Sequence, residues 1–188
     1  MSSLIAFITK IDKAVALFMN AHVTNLVLLR FFNIFSIIGT GAACWIAFYI
    51  IYSFYKKDPK IWLYWIVPFI ACYLISELGI KHLVARPRPF IALDGITMLA
   101  ARLKSYSFPS GHSALSASAL LIAWKLRTPP NIYPYLAVAV LIASSRVILK
   151  AHFLSDVLGG ICIGLLITWA AIKALDLFFA KRAKRREA

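Results

Sequence analysis

The stretch SFPSGHSALSASALLIAWKL, residues 107–126, joins a short polar cluster to an apolar run that is rich in alanine and serine. Small residues allow helices to approach each other closely in lipid, so the run predicts a tightly packed helix over 110–126. Ser110 is a natural N-cap for this helix. Because the run is shorter than the ~20 residues of a full membrane span, we expect its N-terminus to begin below the membrane surface.

The composition around this stretch is typical of an integral membrane protein. Of the 188 residues, 62% are hydrophobic, and the mean hydropathy is +0.81. A soluble domain is only about half apolar. We therefore predict one all-α membrane domain over 1–188, a helical bundle of about five transmembrane helices preceded by an amphipathic interfacial helix.

The predicted segments follow from the apolar runs and the polar residues that end them. They are an interfacial helix at 4–20, spanning helices at 31–55, 61–83, 110–126, 132–149 and 157–179, an outer loop at 84–109 and a basic tail at 180–188. The pattern of 4–20 fits a helix in the membrane interface and equally a helix packed against the bundle.

The formal net charge is +14, from 21 Lys+Arg against 7 Asp+Glu. The cations lie between apolar runs, which favours membrane lipids or an anionic substrate, and not nucleic acid, as the partner. The Lys56–Lys60 loop, the Lys125–Arg127 turn and the tail are basic and fall on one side, so that side, with the C-terminus, is predicted to be cytoplasmic. We predict a location in the plasma (inner) membrane, with the opposite side facing the periplasm or cell exterior. That side is also basic, which binding of an anion would explain.

The most informative pair of residues on that outer side is His152 and Asp156. If both lie on one helix, their spacing of four places them on the same face. The carboxylate could then accept the Nδ1 proton and leave Nε2 as a nucleophile toward phosphorus. Taken alone, the pair fits equally well a His–Asp interaction that stabilises the start of a helix.

The cluster at the start of the 110–126 helix adds a second histidine. Gly111 would allow a ligand to approach the backbone, and a helix N-terminus favours a phosphate. His112 could protonate a leaving oxygen. The alternative is an ordinary capped helix with a histidine in its first turn.

Three cations complete the set, since Lys81, Arg88 and Arg146 could clamp phosphoryl oxygens. In the alternative, they are interfacial side chains that reach toward water. This does not explain why three polar clusters, at 81–89, 107–112 and 145–156, are all predicted on one membrane face.

Taken in order along the chain, Lys81 with Arg88-Pro89, then Pro109-Ser110-Gly111-His112, then Ser145-Arg146 with His152 and Asp156, resemble the three-part signature of the type 2 phosphatidic acid phosphatase superfamily. Three spaced motifs in the right order are far more specific than any one of them.

The resemblance implies a two-step phosphatase mechanism without a metal ion or cofactor. In that scheme His152 attacks phosphorus, Asp156 orients it, and His112 protonates the leaving group and then activates water. The residues that would bind the phosphoryl oxygens are Lys81, Arg88, Ser110, Gly111 and Arg146.

Three further charged residues lie near these motifs. Glu77 is one helical turn before Lys81, so we predict that the two side chains pair. Arg86 and Lys150 are predicted to contact a second phosphate or an anionic headgroup.

The sequence therefore predicts an enzyme that removes phosphate from a lipid monophosphate or diphosphate. Undecaprenyl diphosphate, phosphatidylglycerol phosphate, phosphatidate and lipid A phosphates all fit. Two alternatives remain: a phosphotransferase that uses the same phosphoenzyme, and a non-enzymatic carrier or flippase for anionic lipids. The partners expected are the lipid substrate and membrane lipids, with no obligatory protein partner.

Overall fold

A computed structural model describes residues 2–97, 105–128 and 132–187, and every regular element in these ranges is helical. The predicted all-α class is therefore confirmed. The longer helices, in chain order, are α1 (Ser2–His22), α2 (Leu26–Ile38), α3 (Ala43–Lys56), α4 (Pro59–Tyr73), α7 (Gly111–Leu126), α8 (Tyr133–Ile148) and α9 (Leu154–Glu187). The short helices α5 (Lys81–Val84) and α6 (Pro89–Ala92) lie between α4 and α7. Residues 98–104 of the predicted outer loop lie outside the described ranges.

Helix α7 is the centre of the fold and packs against α9, α4 and α8. Ser110 is its N-cap, as predicted, and accepts a hydrogen bond from the Ser113 N–H. The close approach of α9 depends on two glycines, because a Cβ at Gly160 would lie 2.5 Å from the Ser110 carbonyl oxygen and one at Gly164 would lie 2.2 Å from the Ala114 carbonyl oxygen. The small residues of α7 pack against these two glycines, which form a G-x-x-x-G motif on α9.

The predicted span 31–55 is a bent pair of helices in the structure. Helix α2 begins earlier, at Leu26, because the Asn25 side chain caps it by accepting from the N–H groups of Val27 and Leu28. A 3₁₀ turn follows, in which Gly41 and Ala42 both have positive φ, and α3 leaves at 49° to α2. Two successive left-handed residues interrupt the helical hydrogen bonds, so a membrane span over 31–55 would be bent at this point.

The predicted span 61–83 also has an irregular end. Asp58 caps α4, with Pro59 at the first helical position. From Leu74 to Ile80 the helix widens into a π-helical segment before α5, and the left-handed Ala85 ends it. Such π segments recur at functional sites.

Helix α9 is longer than the predicted 157–179. It begins at Leu154 and continues to Glu187, so the tail predicted at 180–188 is helical through its described residues. Alanine, lysine and arginine are good helix formers, and cations near a helix C-terminus interact favourably with its dipole.

By length and hydropathy, two helical segments of the described chain, Pro59–Ala92 and Leu154–Arg186, could each cross a membrane. The bent pair α2 and α3 would make a third span, and α8 is apolar but shorter. Helix α1 contacts α8 and α9 through a face that buries Ala16, and it leaves large apolar residues such as Phe7 and Phe18 exposed.

Candidate active site

A cavity of about 150 Å³ lies at the N-terminal end of α7. Residues from all three polar clusters of the sequence line it. Its lining consists of Gly39, Gly41, Tyr73, Glu77, Lys81, Arg88, Ser105, Gly111, His112, Leu115, Arg146 and His152. Two imidazoles and three cations therefore meet in one place, although they are spread over more than 70 positions of the chain.

His152 lies in the turn between α8 and α9, and only 3% of it is exposed. Its Nε2 is 3.1 Å from Nη1 of Arg88. A guanidinium has only donors, so Nε2 accepts this hydrogen bond and the proton of the neutral ring is on Nδ1. Burial lowers the pKa of His152 to about 3, and the charges of Arg88 and Arg146 act in the same direction. The ring is therefore neutral near pH 7, with its Nε2 lone pair directed toward the cation-lined cavity.

Asp156 does not hydrogen-bond to His152 directly, since its Oδ2 is 3.8 Å from Nδ1. The condition for a shared helical face is not met, because α9 begins only at Leu154, after His152. Asp156 is in the first turn and reaches back to accept from the Phe153 N–H at 2.9 Å, as in a capping box. Oδ2 also accepts from the Ser107 hydroxyl at 2.5 Å.

His112 faces the same cavity from the first turn of α7. Its Nε2 is 3.0 Å from the carbonyl oxygen of Ser36 on α2. A carbonyl only accepts, so Nε2 carries a proton and Nδ1 holds the lone pair of the neutral ring. The Ser36 hydroxyl also accepts from Nη1 of Arg146. Ser36 thus orients two site residues, and the one signal for it in the sequence is a polar residue within an apolar helix.

Lys81 donates to Oε1 of Glu77 at 2.6 Å, so the predicted pairing of these two residues is confirmed. The lysine side chain is 3% exposed and that of Glu77 is 22% exposed. Ser110, by contrast, is fully buried at the helix start, where its hydroxyl accepts from the Ser113 hydroxyl at 2.9 Å, and it does not line the cavity.

Arg86 and Lys150, predicted to contact a second phosphate or an anionic headgroup, do not line the cavity. Arg86 donates to Oδ1 of Asp156 at 2.5 Å and to Oδ2 of Asp12 at 2.7 Å. The two carboxylates are almost completely buried, and the single guanidinium forms an ion pair with each of them. Nζ of Lys150 instead lies 3.3 Å from the side-chain oxygen of Asn20.

Asp12, like Ser36, is a residue that the sequence motifs did not indicate. It is 1% exposed, and besides Arg86 it accepts from the N–H of Ser155 at 2.9 Å and from its hydroxyl at 2.5 Å. It therefore links α1 to the start of α9. A signal was available, because Asp12 lies four residues after Ile8 and four before Ala16, on the apolar face of α1.

We expect Asp12→Asn to lower kcat about tenfold and to leave KM unchanged. The amide loses the charge that shares Arg86 with Asp156, so the partly buried guanidinium is left with one anionic partner and the Asp156 carboxylate shifts. Steady-state kinetics on a lipid phosphate measure this, with Asp12→Glu as the variant that restores the charge. An unchanged kcat, or a rise in KM alone, would contradict a positioning role for Asp12.

Comparison with known proteins identifies the family of this chain. The family described as the PAP2 superfamily matches residues 67–179. An undecaprenyl-diphosphatase from Sulfolobus acidocaldarius is 27% identical over 131 residues, which are 69% of this chain and 62% of that protein. A lipid A 4'-phosphatase from Porphyromonas gingivalis is 28% identical over 170 residues, 86% of this chain and 71% of that protein. The chain thus spans less than two thirds of the length of the Sulfolobus relative.

Two crystal structures share the fold. The transmembrane PAP2 type phosphatidylglycerolphosphate phosphatase of Bacillus subtilis matches with a TM-score of 0.69 and 26% identity, over 93% of this chain and 94% of that one. Aquifex aeolicus LpxE matches with a TM-score of 0.68 and 23% identity, over 82% of this chain and 90% of that one. Together with the apolar helices, these matches identify an integral membrane protein.

Proposed function

Because the chain belongs to the PAP2 superfamily, we propose that it is a phosphatase that hydrolyses lipid phosphate monoesters or diphosphates through a phosphohistidine at His152. One observation carries the proposal: the Nε2 atom of a neutral, buried histidine lies in a cavity that is also lined by Lys81, Arg88 and Arg146. A nucleophile and the cations that stabilise phosphoryl charge are what this reaction requires.

In the first step, the phosphoryl oxygens bind the three cations, and Arg88 donates to them instead of to Nε2. Nε2 attacks phosphorus while the bond from phosphorus to the leaving oxygen breaks. When the anionic phosphoryl group binds, His112 takes up a second proton on Nδ1, the nitrogen that faces away from the Ser36 carbonyl. It gives this proton to the leaving oxygen, while its Nε2 proton stays on the Ser36 carbonyl. As His152 becomes positively charged, the Asp156 carboxylate 3.8 Å from its Nδ1 stabilises the charge.

In the second step, His112 takes a proton from water, and the water oxygen attacks the phosphorus of the phosphohistidine. The phosphorus–nitrogen bond breaks, inorganic phosphate is formed, and the lone pair returns to Nε2. Nδ1 of His112 and Nε2 of His152 are then in the states they had in the substrate complex, and the extra proton on His112 is released when phosphate leaves.

An adjoining apolar pocket supports a lipid as the substrate. It has a volume of about 360 Å³ and shares Gly41, Tyr73 and Leu115 with the polar cavity. Aromatic and aliphatic side chains from α3 and α4 form most of its remaining lining, namely Ile46, Trp65, Ile66, Phe69 and Ile70. A phosphate bound in the cavity could therefore place an acyl or isoprenoid tail in this pocket. Undecaprenyl diphosphate, phosphatidylglycerol phosphate, phosphatidate and lipid A phosphates all have this form.

The proposed arrangement in the membrane has about five spans within 31–55, 61–83, 110–126, 132–149 and 157–179, with 4–20 in the interface. The cavity faces the periplasm or exterior of the inner membrane, and the tail at 180–188 is cytoplasmic. The basic loops on the tail side support this orientation. A reporter that is active only in the cytoplasm should therefore be active when it is fused after residue 188.

The function is tested by measuring phosphate release from a panel of lipid monophosphates and diphosphates by the full chain in detergent. We expect turnover of at least one lipid and no loss of activity with a chelator. Product analysis separates the alternatives, because a phosphotransferase would give a phosphorylated acceptor lipid and a carrier would give no product. Absence of turnover on every lipid would contradict the proposal.

A further inference from the structure

Glu77 occupies an unusual position for a carboxylate, inside a cavity whose proposed ligand is an anion. Its side chain projects from the π-helical segment Leu74–Ile80 and lines the cavity. Among the described residues that line the cavity, it is the sole carboxylate, and it faces the same three cations that would bind phosphate. Its Oε1 is 2.6 Å from Nζ of Lys81.

The same oxygen lies against the start of α7. A Cβ placed on Gly111 would be only 2.0 Å from Oε1 of Glu77 and 2.8 Å from its carboxyl carbon. The absence of a side chain at Gly111 therefore lets the Glu77 carboxylate approach the N-terminus of α7. This end of a helix carries partial positive charge and favours anions.

The carboxylate therefore has two of the partners that a phosphoryl oxygen would take, namely the Lys81 ammonium and the first turn of α7. Glu77 is also free to leave, since its side chain is 22% exposed and has three rotatable bonds. Lys81 is the one hydrogen-bond partner of the Glu77 side chain among the described residues.

We propose that Glu77 is an internal anion that competes with phosphate for the cavity, an inference that rests on the proposed function. In the empty site its carboxylate neutralises part of the cationic charge. A substrate phosphoryl group displaces it and takes over Lys81. After hydrolysis, the return of the carboxylate expels inorganic phosphate, so Glu77 limits product inhibition.

A purely structural role for Glu77 predicts the opposite change in oxyanion affinity when the carboxylate is removed. If the carboxylate only held Lys81 in place, its removal would disorder the lysine and weaken the binding of an oxyanion. If the carboxylate competes with the oxyanion, its removal strengthens that binding. The direction of the change therefore decides between the two roles.

The test is direct binding of inorganic phosphate and of tungstate to the purified full chain, together with their inhibition constants in the lipid phosphatase assay. Glu77→Gln keeps the size of the side chain and removes the charge, and Glu77→Ala removes the carboxylate altogether. Asp176→Asn is the matched control, because Asp176 pairs with Lys125 far from the cavity. We expect both oxyanions to bind about tenfold or more tightly to each Glu77 variant, and within about twofold of the unmodified chain to the control.

Unchanged or weaker oxyanion binding in both folded Glu77 variants would overturn the inference. If the unmodified chain also hydrolyses lipid phosphates, that result leaves the proposed function in place. Tighter binding in the variants together with no turnover by the unmodified chain would support the internal anion and contradict the phosphatase instead.

Discussion

Replacing His152 with alanine is expected to reduce kcat by at least ~10⁴-fold on any lipid phosphate that the unmodified chain hydrolyses. The substitution removes Nε2, the proposed nucleophile, while the cations proposed to bind the substrate remain. Substrate binding should therefore persist without turnover. Phosphate release and substrate affinity, measured on the same preparation, check the two halves of this expectation.

His22→Ala is the matched control for this substitution. His22 is an exposed residue at the end of α1, and its ring stacks on Phe18 away from the cavity. The control should keep full activity. A labelled phosphoryl group should be trapped on the protein by acid-labile, base-stable attachment in the control and not in His152→Ala. Retained turnover in His152→Ala would show that another residue is the nucleophile.

Asp156→Asn is expected to lower kcat by about 10²- to 10³-fold and to destabilise the fold by about 3 kcal/mol. The fully buried carboxylate accepts from Arg86, Ser107 and the Phe153 N–H, and it is the nearest anion to Nδ1 of His152. The amide cannot neutralise Arg86, and loss of one partner of a buried pair costs ~3–5 kcal/mol. We expect a loss near the low end of this range because Arg86 retains its ion pair with Asp12.

Thermal unfolding in detergent and steady-state kinetics separate the two effects of Asp156→Asn. Asp176→Asn again serves as the control, since its pair with Lys125 is about one third exposed and contributes at most ~1 kcal/mol. A destabilised Asp156→Asn enzyme with unchanged kcat would restrict Asp156 to a structural role. A change in kcat without loss of stability would show that the contact with His152, and not the one with Arg86, is the important one.

Local spacing was enough to predict several features correctly. Ser110 was predicted as the N-cap of α7, and Glu77 was predicted to pair with Lys81, because each interaction joins residues within one helical turn. The residue types of the three polar clusters also indicated phosphate chemistry. Such inferences succeed since the geometry within a turn of helix is fixed by the backbone.

Local spacing failed where the chain leaves regular geometry. A spacing of four would place His152 and Asp156 on one face if both were helical, but His152 lies in the turn at 149–153. The bend within 31–55 was likewise not predicted, because it depends on the left-handed pair Gly41 and Ala42.

The sequence by itself determined the all-α membrane class, the family motifs and the identity of the charged groups. The tertiary structure alone decided which of those groups neutralise each other. Arg86 was predicted to contact substrate, yet it pairs with Asp12, 74 residues away, and with Asp156, 70 residues away. In an apolar environment a buried charge must find a counter-charge. Which one it finds depends on how distant helices pack, and no local pattern records that.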